Sequence, residues 1–353
     1  MKKKIGLSTI AEKTGADRAT VSRVLRGLAK KYYISDERAA KIRKAAEELG
    51  YRPNFYAQAQ SKGKFRTIGL LTREHTTNWL PPQLFEGVQA SLRARGLELH
   101  VCTIMDSDLE EGAVPSVLSH AMVDGLLVLA GPDTLGDDLV RQIDAATFPA
   151  VWICADTMEH GVYVANDAAA MEAVTYLREL GHTRIEMVAY NSETGKARSR
   201  GYAEAMREAG LEPRIIPAGQ GPVRDLVGAR LDASDRPTAL LCHSTDLTPH
   251  VFAAAAQRGL TIPGELSLMQ MGPKSKGREA VTGMYVDERE RGRAAVEMLL
   301  EQIDHPDREP SPHIAALERV EAGTCAPPAQ QWNENGITEG RNRRGVWVDS
   351  VTS

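Results

Sequence analysis

Apolar positions recur at helical spacing through the first fifty residues. Leu7, Ile10, Ala11 and Thr14 share one face, and Val21, Val24 and Leu25 share another. The spacing predicts helices over 7–14 and 17–26, with a turn at Gly15-Ala16 where glycine suits the sharp change of direction. Asp17 is placed to cap the second helix, because its carboxylate can accept the free N–H groups there. A third helix begins after Ser35 and carries Ala39, Ile42, Ala46 and Leu49 on one face. Gly50 ends it and Pro53 blocks its continuation. From Thr67 the pattern changes to short apolar runs, at 68–71, 97–101, 124–129, 150–154, 185–189, 240–242 and 266–269, which read as buried strands. Amphipathic stretches at 84–95, 168–180, 197–209 and 250–258 separate many of them, and each is closed by a glycine. Alternating strands and helices predict a parallel sheet, and two such runs predict two lobes. The expected fold is thus an α/β core of two doubly wound parallel-sheet lobes behind a small all-α N-terminal helix-turn-helix domain. Open parallel sheets bind ligands at the carboxyl ends of their strands, so the cleft between the lobes is the expected site.

Charge sharpens the division. Residues 1–66 hold 17 Lys and Arg against 6 Asp and Glu, a balance of +11, while the rest of the 353-residue chain carries −15. A basic end on an acidic body points to a polyanionic partner. With Val21, Val24 and Leu25 inward, the second helix presents Arg18, Ala19, Ser22, Arg23 and Arg26. Arginines near a helix start reach guanine edges in a major groove, and hydroxyls bind phosphate. Pattern alone also allows a plain three-helix bundle with solvated arginines. The longest apolar run, 125–130, is too short for a membrane span, and residues 6–15 are interrupted by Ser8, Thr9, Glu12 and Lys13, unlike a leader peptide. Cys102, Cys154, Cys242 and Cys325 are widely scattered, which argues against a zinc knuckle and fits a reducing compartment. A cytoplasmic, nucleoid-associated protein is expected.

The segment Arg18-Ala19-Thr20-Val21-Ser22-Arg23-Val24-Leu25, followed by Glu47-Glu48-Leu49-Gly50-Tyr51-Arg52-Pro53-Asn54, resembles the signature of the LacI/GalR family of transcriptional regulators. The resemblance implies base reading by Arg18, Ala19 and Arg23. It implies backbone contacts by Thr20, Ser22, Arg26, Tyr51 and Asn54, and a hinge opening at 51–54. Asp17 stands where the family usually has serine. The connection Leu28-Ala29-Lys30-Lys31-Tyr32-Tyr33 is a few residues longer than usual, so Lys30, Lys31 and the tyrosines Tyr32 and Tyr33 join the expected backbone contacts, although a longer solvent loop is the alternative. In the family a hinge leucine wedges into the minor groove and kinks the duplex. Matching outward from Asn54 puts Ala57 near that place and Gln60 at the wedge itself. A glutamine can hydrogen-bond there but is no apolar wedge. Residues 61–64 read as a flexible basic linker.

The body resembles the family's periplasmic-binding-protein-like core, through Leu180-Gly181-His182-Thr183-Arg184-Ile185, Arg198-Ser199-Arg200-Gly201-Tyr202, Gly259-Leu260-Thr261-Ile262-Pro263 and Gly292-Arg293-Ala294-Ala295 among others. The resemblance makes Arg198 the residue that grips an effector, and its guanidinium suits a carboxylate, phosphate or diol; a surface arginine is the plainer reading. Asn78, Trp79, Ser244 and Asp246 fall at other effector positions. Several matches are altered: Ser244-Thr245 replaces an Asn-Asp pair, and Gln270-Met271-Gly272-Pro273 lacks the usual aspartate. Losing these groups makes a sugar effector less expected. Trp79, Trp152 and Met271 either line a more apolar pocket or belong to the core.

Nothing in the sequence supports catalysis: there is no nucleophile elbow, phosphate loop or dinucleotide fingerprint. His243, Asp246 and His250 have metal-ligand chemistry but straddle a strand end and a helix start, so neither metal nor cofactor is expected. The divisions expected are a head at 1–51, hinge and linker at 52–66, a first lobe at 67–165 with about 286–318, and a second at 166–285 with about 319–326. The tail, 327–353, has no leucine heptads; it is either disordered or docks Val346-Trp347-Val348 on the core. The whole reads as a homodimeric regulator, and a repressor by the family's habit. It would bind a near-palindromic operator, with a small molecule in the cleft as a possible effector. The alternative is a regulator that has lost ligand sensing.

Overall fold

The computed structural model describes residues 6–51, 64–74, 81–119, 122–154, 161–274, 280–315, 317–329, 339–341 and 347–349. The chain divides into two units, 1–65 and 66–353.

The head is three helices, α1 (Leu7–Thr14), α2 (Arg18–Leu25) and α3 (Asp36–Glu48), around one small core. Ile10, Val21, Val24, Ala39 and Ile42 form that core and are fully or almost fully buried. Gly15 turns the chain between α1 and α2 with φ +70°, a conformation glycine adopts without a Cβ penalty. Asp17 caps α2 as expected: the Thr20 N–H donates to its carboxylate at 2.8 Å. Ser35 does the same for α3, accepting from the Arg38 N–H at 3.3 Å.

The second unit holds two six-stranded sheets. In the first the order is β11-β5-β4-β3-β1-β2, built from β1 (Thr67–Arg73), β2 (Glu98–Ile104), β3 (Gly125–Leu129), β4 (Ala150–Cys154), β5 (Gly161–Val164) and β11 (His313–Ala315), all parallel. In the second the order is β12-β10-β9-β8-β6-β7, from β6 (Ile185–Tyr190), β7 (Arg214–Ala218), β8 (Ala239–Cys242), β9 (Ser267–Pro273), β10 (Thr282–Val286) and β12 (Leu317–Val320). Only β12 runs antiparallel to its neighbour in that sheet. Central strands are buried along their whole length, β3 and β8 among them, because helices cover both faces. The main helices are α4 (Pro82–Ala94), α5 (Asp137–Asp144), α6 (Asn166–Glu179), α7 (Glu193–Glu208), α8 (Val223–Leu231), α9 (Thr248–Gln257) and α10 (Glu288–Asp304).

Two glycines set the contact between α4 and α10. A Cβ on Gly87 would lie 2.1 Å from the Arg289 carbonyl oxygen, and one on Gly292 would lie 2.3 Å from that of Leu84. Backbone meets backbone there, which no larger residue permits. The chain crosses between the sheets three times: after β5, after β10, and between Ala315 and Leu317. The last crossing falls slightly before the break near 318 that the sequence suggests.

Trp152 and Met271 are core residues, 2% and 0% exposed, so neither lines an apolar pocket. Helix α7 starts four residues earlier than its apolar pattern, because Ser192 caps it by accepting from the Gly195 N–H at 3.1 Å. In the tail, β13 (Glu339–Arg341) and β14 (Trp347–Asp349) pair antiparallel, so Trp347 and Val348 belong to a hairpin. Among the described residues no helix is long and apolar enough to cross a membrane.

Candidate DNA-reading surface and inter-lobe cleft

In the head, the core-facing stripe of α2 fixes what is left outside. Val21 and Val24 point in, so Arg18, Ala19, Arg23 and Arg26 are exposed together and Ser22 is half-buried beside them. No carboxylate among the described residues pairs with Arg18, Arg23 or Arg26, nor with Lys30 or Lys31 on the following turn. Asp17, the one acidic group at the start of α2, is turned to its own helix. It accepts from both the Thr20 N–H and the Thr20 hydroxyl, the latter at 2.6 Å, and these bonds hold its carboxyl below the usual range. The donors of these arginines are therefore available to a partner. The Thr20 hydroxyl proton is given to Asp17 Oδ2, so a phosphate contact through that hydroxyl would exchange this bond, while the N–H cap to Oδ1 stays in place. Tyr51 is half-buried against the head core. Asn54, Ala57 and Gln60 lie outside the described residues, as do Asn78 and Trp79.

In the core, the carboxyl ends of β6 and β8 bring Tyr190, His243, Ser244 and Asp246 together. Ser244 donates to Asp246 Oδ1 at 2.5 Å and faces His243 Nε2 at 3.3 Å, and the Tyr190 ring meets the imidazole edge-on with centroids 5.6 Å apart. Burial, reinforced by the nearby Arg198, pushes His243 down to about 4, so the ring is neutral at physiological pH. Its Nδ1 is buried and has no hydrogen-bond partner among the described residues.

Arg198 reaches this cluster from α7. It is 6% exposed; its Nε donates to Asn166 Oδ1 at 2.8 Å and its Nη1 to the His243 carbonyl. Burial lowers its pKa to about 10, opposed by the Glu288 carboxylate, so it stays protonated at neutral pH. Glu288 is itself buried at the start of α10 and bound by both oxygens to Arg291 Nη1 at 3.2 Å. Arg198, Asn166 and Glu288 thus join a lobe's binding face to two of the crossings between lobes. The expected effector grip is engaged inside the protein, and its Nη2 has no hydrogen-bond partner among the described residues. Of the expected effector residues, Arg198, Ser244 and Asp246 converge around His243, a residue whose local pattern alone suggests no ligand role. His250 is exposed, and no group of three or more His, Cys, Asp or Glu placed to hold a metal ion is found among the described residues.

Beside this cluster a cavity of about 600 Å³ opens between Gln83 of the first lobe and Thr245, Phe252, Gln270, Val281 and Tyr285 of the second. None of its described lining residues is charged. Gln270 is satisfied within the protein: its amide donates to the Tyr285 hydroxyl at 2.8 Å and accepts from Thr248 at 2.6 Å. Gln83 Oε1 is buried with no hydrogen-bond partner among the described residues. Sequence reasoning missed Gln83 and Phe252, since nothing local marks a helix-start glutamine or one phenylalanine of a helix as cavity lining. Across the cleft, the Glu193 carboxylate lies against Gly131, 2.3 Å from where a Cβ there would be. A separate groove of about 360 Å³ follows α10, where Arg293 pairs with Glu290 and Glu297, and Arg308 with Glu301.

Comparison with known proteins matches residues 7–54 to the family described as bacterial regulatory proteins, lacI family, and residues 174–325 to the periplasmic binding protein-like domain. The ribose operon repressor of Haemophilus influenzae is 27% identical over 312 residues, covering 85% of this chain and 92% of that protein. The HTH-type transcriptional repressor PurR of Pectobacterium atrosepticum is 27% identical over 312 residues, covering 84% and 90%. Among solved structures, the lac repressor dimer bound to operator and an anti-inducer superposes with a TM-score of 0.77 at 21% identity, covering 92% of this chain and all of that one. A LacI-family transcriptional regulator from Silicibacter pomeroyi superposes with a TM-score of 0.73, also at 21% identity, covering 91% of this chain and 99% of that one. These last two speak to the fold. The two family matches fall in the same order as the helical head and the two-lobed unit, and relatives matched along nearly their whole length are repressors: the chain belongs to the lacI family of bacterial regulatory proteins.

Proposed function

We propose that this protein is a transcriptional repressor that binds a near-palindromic operator as a homodimer. A small molecule between the lobes would tune that affinity. The observation that carries the reading is the outer face of α2, where Arg18, Arg23 and Arg26 stand exposed with no carboxylate partner among the described residues. In this reading α2 lies in the major groove, with Arg18, Ala19 and Arg23 at base edges. Ser22, Arg26, Lys30, Lys31, Tyr51 and Asn54 hold phosphates, and Ala57 and Gln60 approach the minor groove. Lobe movement would alter the spacing of the two heads, which couples the cleft to the operator. The neutral lining of the cavity and the unpartnered Gln83 Oε1 favour an uncharged, largely apolar ligand with a hydrogen-bond donor over a polyhydroxylated sugar.

One observation favours a second reading. Arg198, the residue that the family pattern assigns to ligand, is bonded to Asn166 and His243 inside the protein. A regulator that binds DNA constitutively would keep such an arginine as a brace.

In-vitro selection from a random DNA pool with the full chain, at two salt concentrations, tests the DNA reading. Enrichment of one palindrome, with affinity falling steeply with salt, supports it; no binding at any salt sinks it. A thermal-shift screen against small neutral compounds then separates the two readings. A ligand at 100 times its dissociation constant adds about 2.7 kcal/mol, and a bound ligand that leaves operator affinity unchanged favours the constitutive one.

A further inference from the structure

The connection between α2 and α3, longer here than the family pattern, folds into a 3-10 turn at Lys30–Tyr32. It is fastened at both ends. At its start the Leu28 N–H donates to the carbonyl of Arg23 itself at 2.9 Å, and Ala29 is 4% exposed in the head core. At its end the Ile34 N–H returns to the Ala29 carbonyl at 3.0 Å, and Ile34 packs on the same core. Between these anchors the Tyr32 N–H donates to Leu28 and Ala29 carbonyls, and Tyr33 closes the turn in a left-handed conformation with φ +54°. The turn sets the Tyr32 ring under Arg23: the guanidinium carbon sits 4.3 Å from the ring centroid. No hydrogen bond or ion pair to Arg23 side-chain atoms exists among the described residues.

We infer that Tyr32 is a specificity-determining positioning residue, which holds the Arg23 guanidinium for base reading. The inference rests on the DNA-reading proposal above. The chemistry favours a stacked arginine over a free one. Ring contact uses only a face of the guanidinium, through its attraction to the aromatic quadrupole. The in-plane N–H fork that matches guanine O6 and N7 stays available. An exposed arginine otherwise samples many rotamers, most of them unable to reach one base edge. A stack at an exposed site favours the held arrangement by about two- to fivefold. In a dimer both half-sites gain, so the effect on a palindrome is about four- to twenty-five-fold. Tyr33, 96% exposed on the same turn, makes no such stack and serves as the internal control.

The test uses the full chain and the operator that selection returns for it. Tyr32→Ala lowers operator affinity by that factor. It relaxes base preference at one position of each half-site, and leaves the salt dependence as it was. Tyr32→Phe keeps the ring face and behaves as wild type. Tyr32→Leu keeps apolar bulk without a ring face and behaves like the alanine variant, which guards against a folding defect; the thermal midpoint of each variant is measured alongside. In an Arg23→Ala background, Tyr32→Ala has no further effect. Unchanged selectivity in Tyr32→Ala overturns the inference. So does a defect in Tyr32→Phe, or a Tyr32→Ala effect that persists without Arg23, since each places the tyrosine directly on DNA. Failure of the wild-type protein to enrich any sequence is a different result, and it overturns the DNA reading instead.

Discussion

Arg18 offers the sharpest separation between binding and folding. It is the first residue of α2, exposed, and makes no ion pair among the described residues. Replacing it by alanine therefore breaks nothing in the head, and the thermal midpoint moves by no more than an ordinary surface change allows, within about 0.5 kcal/mol. On DNA the loss is large. A bidentate arginine–guanine pair discriminates by about 1–3 kcal/mol. Two half-sites double this to about 2–6 kcal/mol, or roughly thirtyfold to twenty-thousandfold in affinity. The assay is fluorescence anisotropy with the selected operator and with copies changed one base pair at a time. Arg18→Ala relaxes the preference at one symmetric pair of positions and leaves the others sharp. Arg26→Ala makes the contrasting case: as a phosphate contact it weakens every sequence alike and lowers the salt slope by about 2 for the dimer. If Arg18→Ala instead weakens all sequences equally and flattens the salt slope, Arg18 grips phosphate, and the orientation of α2 argued here is wrong.

Two further outcomes concern the core. Arg230 binds Glu186 through Nε at 3.0 and 3.1 Å and through Nη2 at 2.5 Å, and the glutamate side chain is only 4% exposed; Arg230→Met strands a buried carboxylate, and the core loses about 3 kcal/mol, a fall of roughly 6–12 °C in thermal midpoint. A fall under 2 °C would show that solvent reaches Glu186 freely, and adding Glu186→Gln to the variant restores part of the loss. His243 titrates at about 4 in the folded chain against 6.5 unfolded, so the unfolded chain takes up its proton first and stability falls as pH drops from 6.5 towards 4, by about 3 kcal/mol over the window. His182, also lowered by burial, acts in the same direction. Denaturant titrations across that range give a shallower slope for His243→Gln; an unchanged slope refutes the buried neutral imidazole.

What the sequence made legible follows from how locally each feature is written. Central strands such as β3 are covered on both faces and read as unbroken apolar runs. The edge strand β12, Leu-Glu-Arg-Val, exposes Glu318 and Arg319, and β7 exposes Ile215, so neither has a run to read. The exposed arginine face of α2 was legible because it lies on one helix, whose period sorts residues into core and surface. The place of the cleft was legible from the strand ends, but its lining was not: Gln83, Tyr190, His243, Phe252 and Tyr285 lie in or beside five different elements, and only the folded sheets bring them together. Arg198 lies between these cases. It stands three and four places before Gly201 and Tyr202, both buried, with Ala205 a turn beyond, so the helical period puts it on the buried stripe of α7. An arginine on a buried stripe has to find internal acceptors or face a polar cavity. The period alone carries that dilemma. The acceptors that resolve it, Asn166 and the His243 carbonyl, lie 32 and 45 residues away in the chain, and no local pattern reports them.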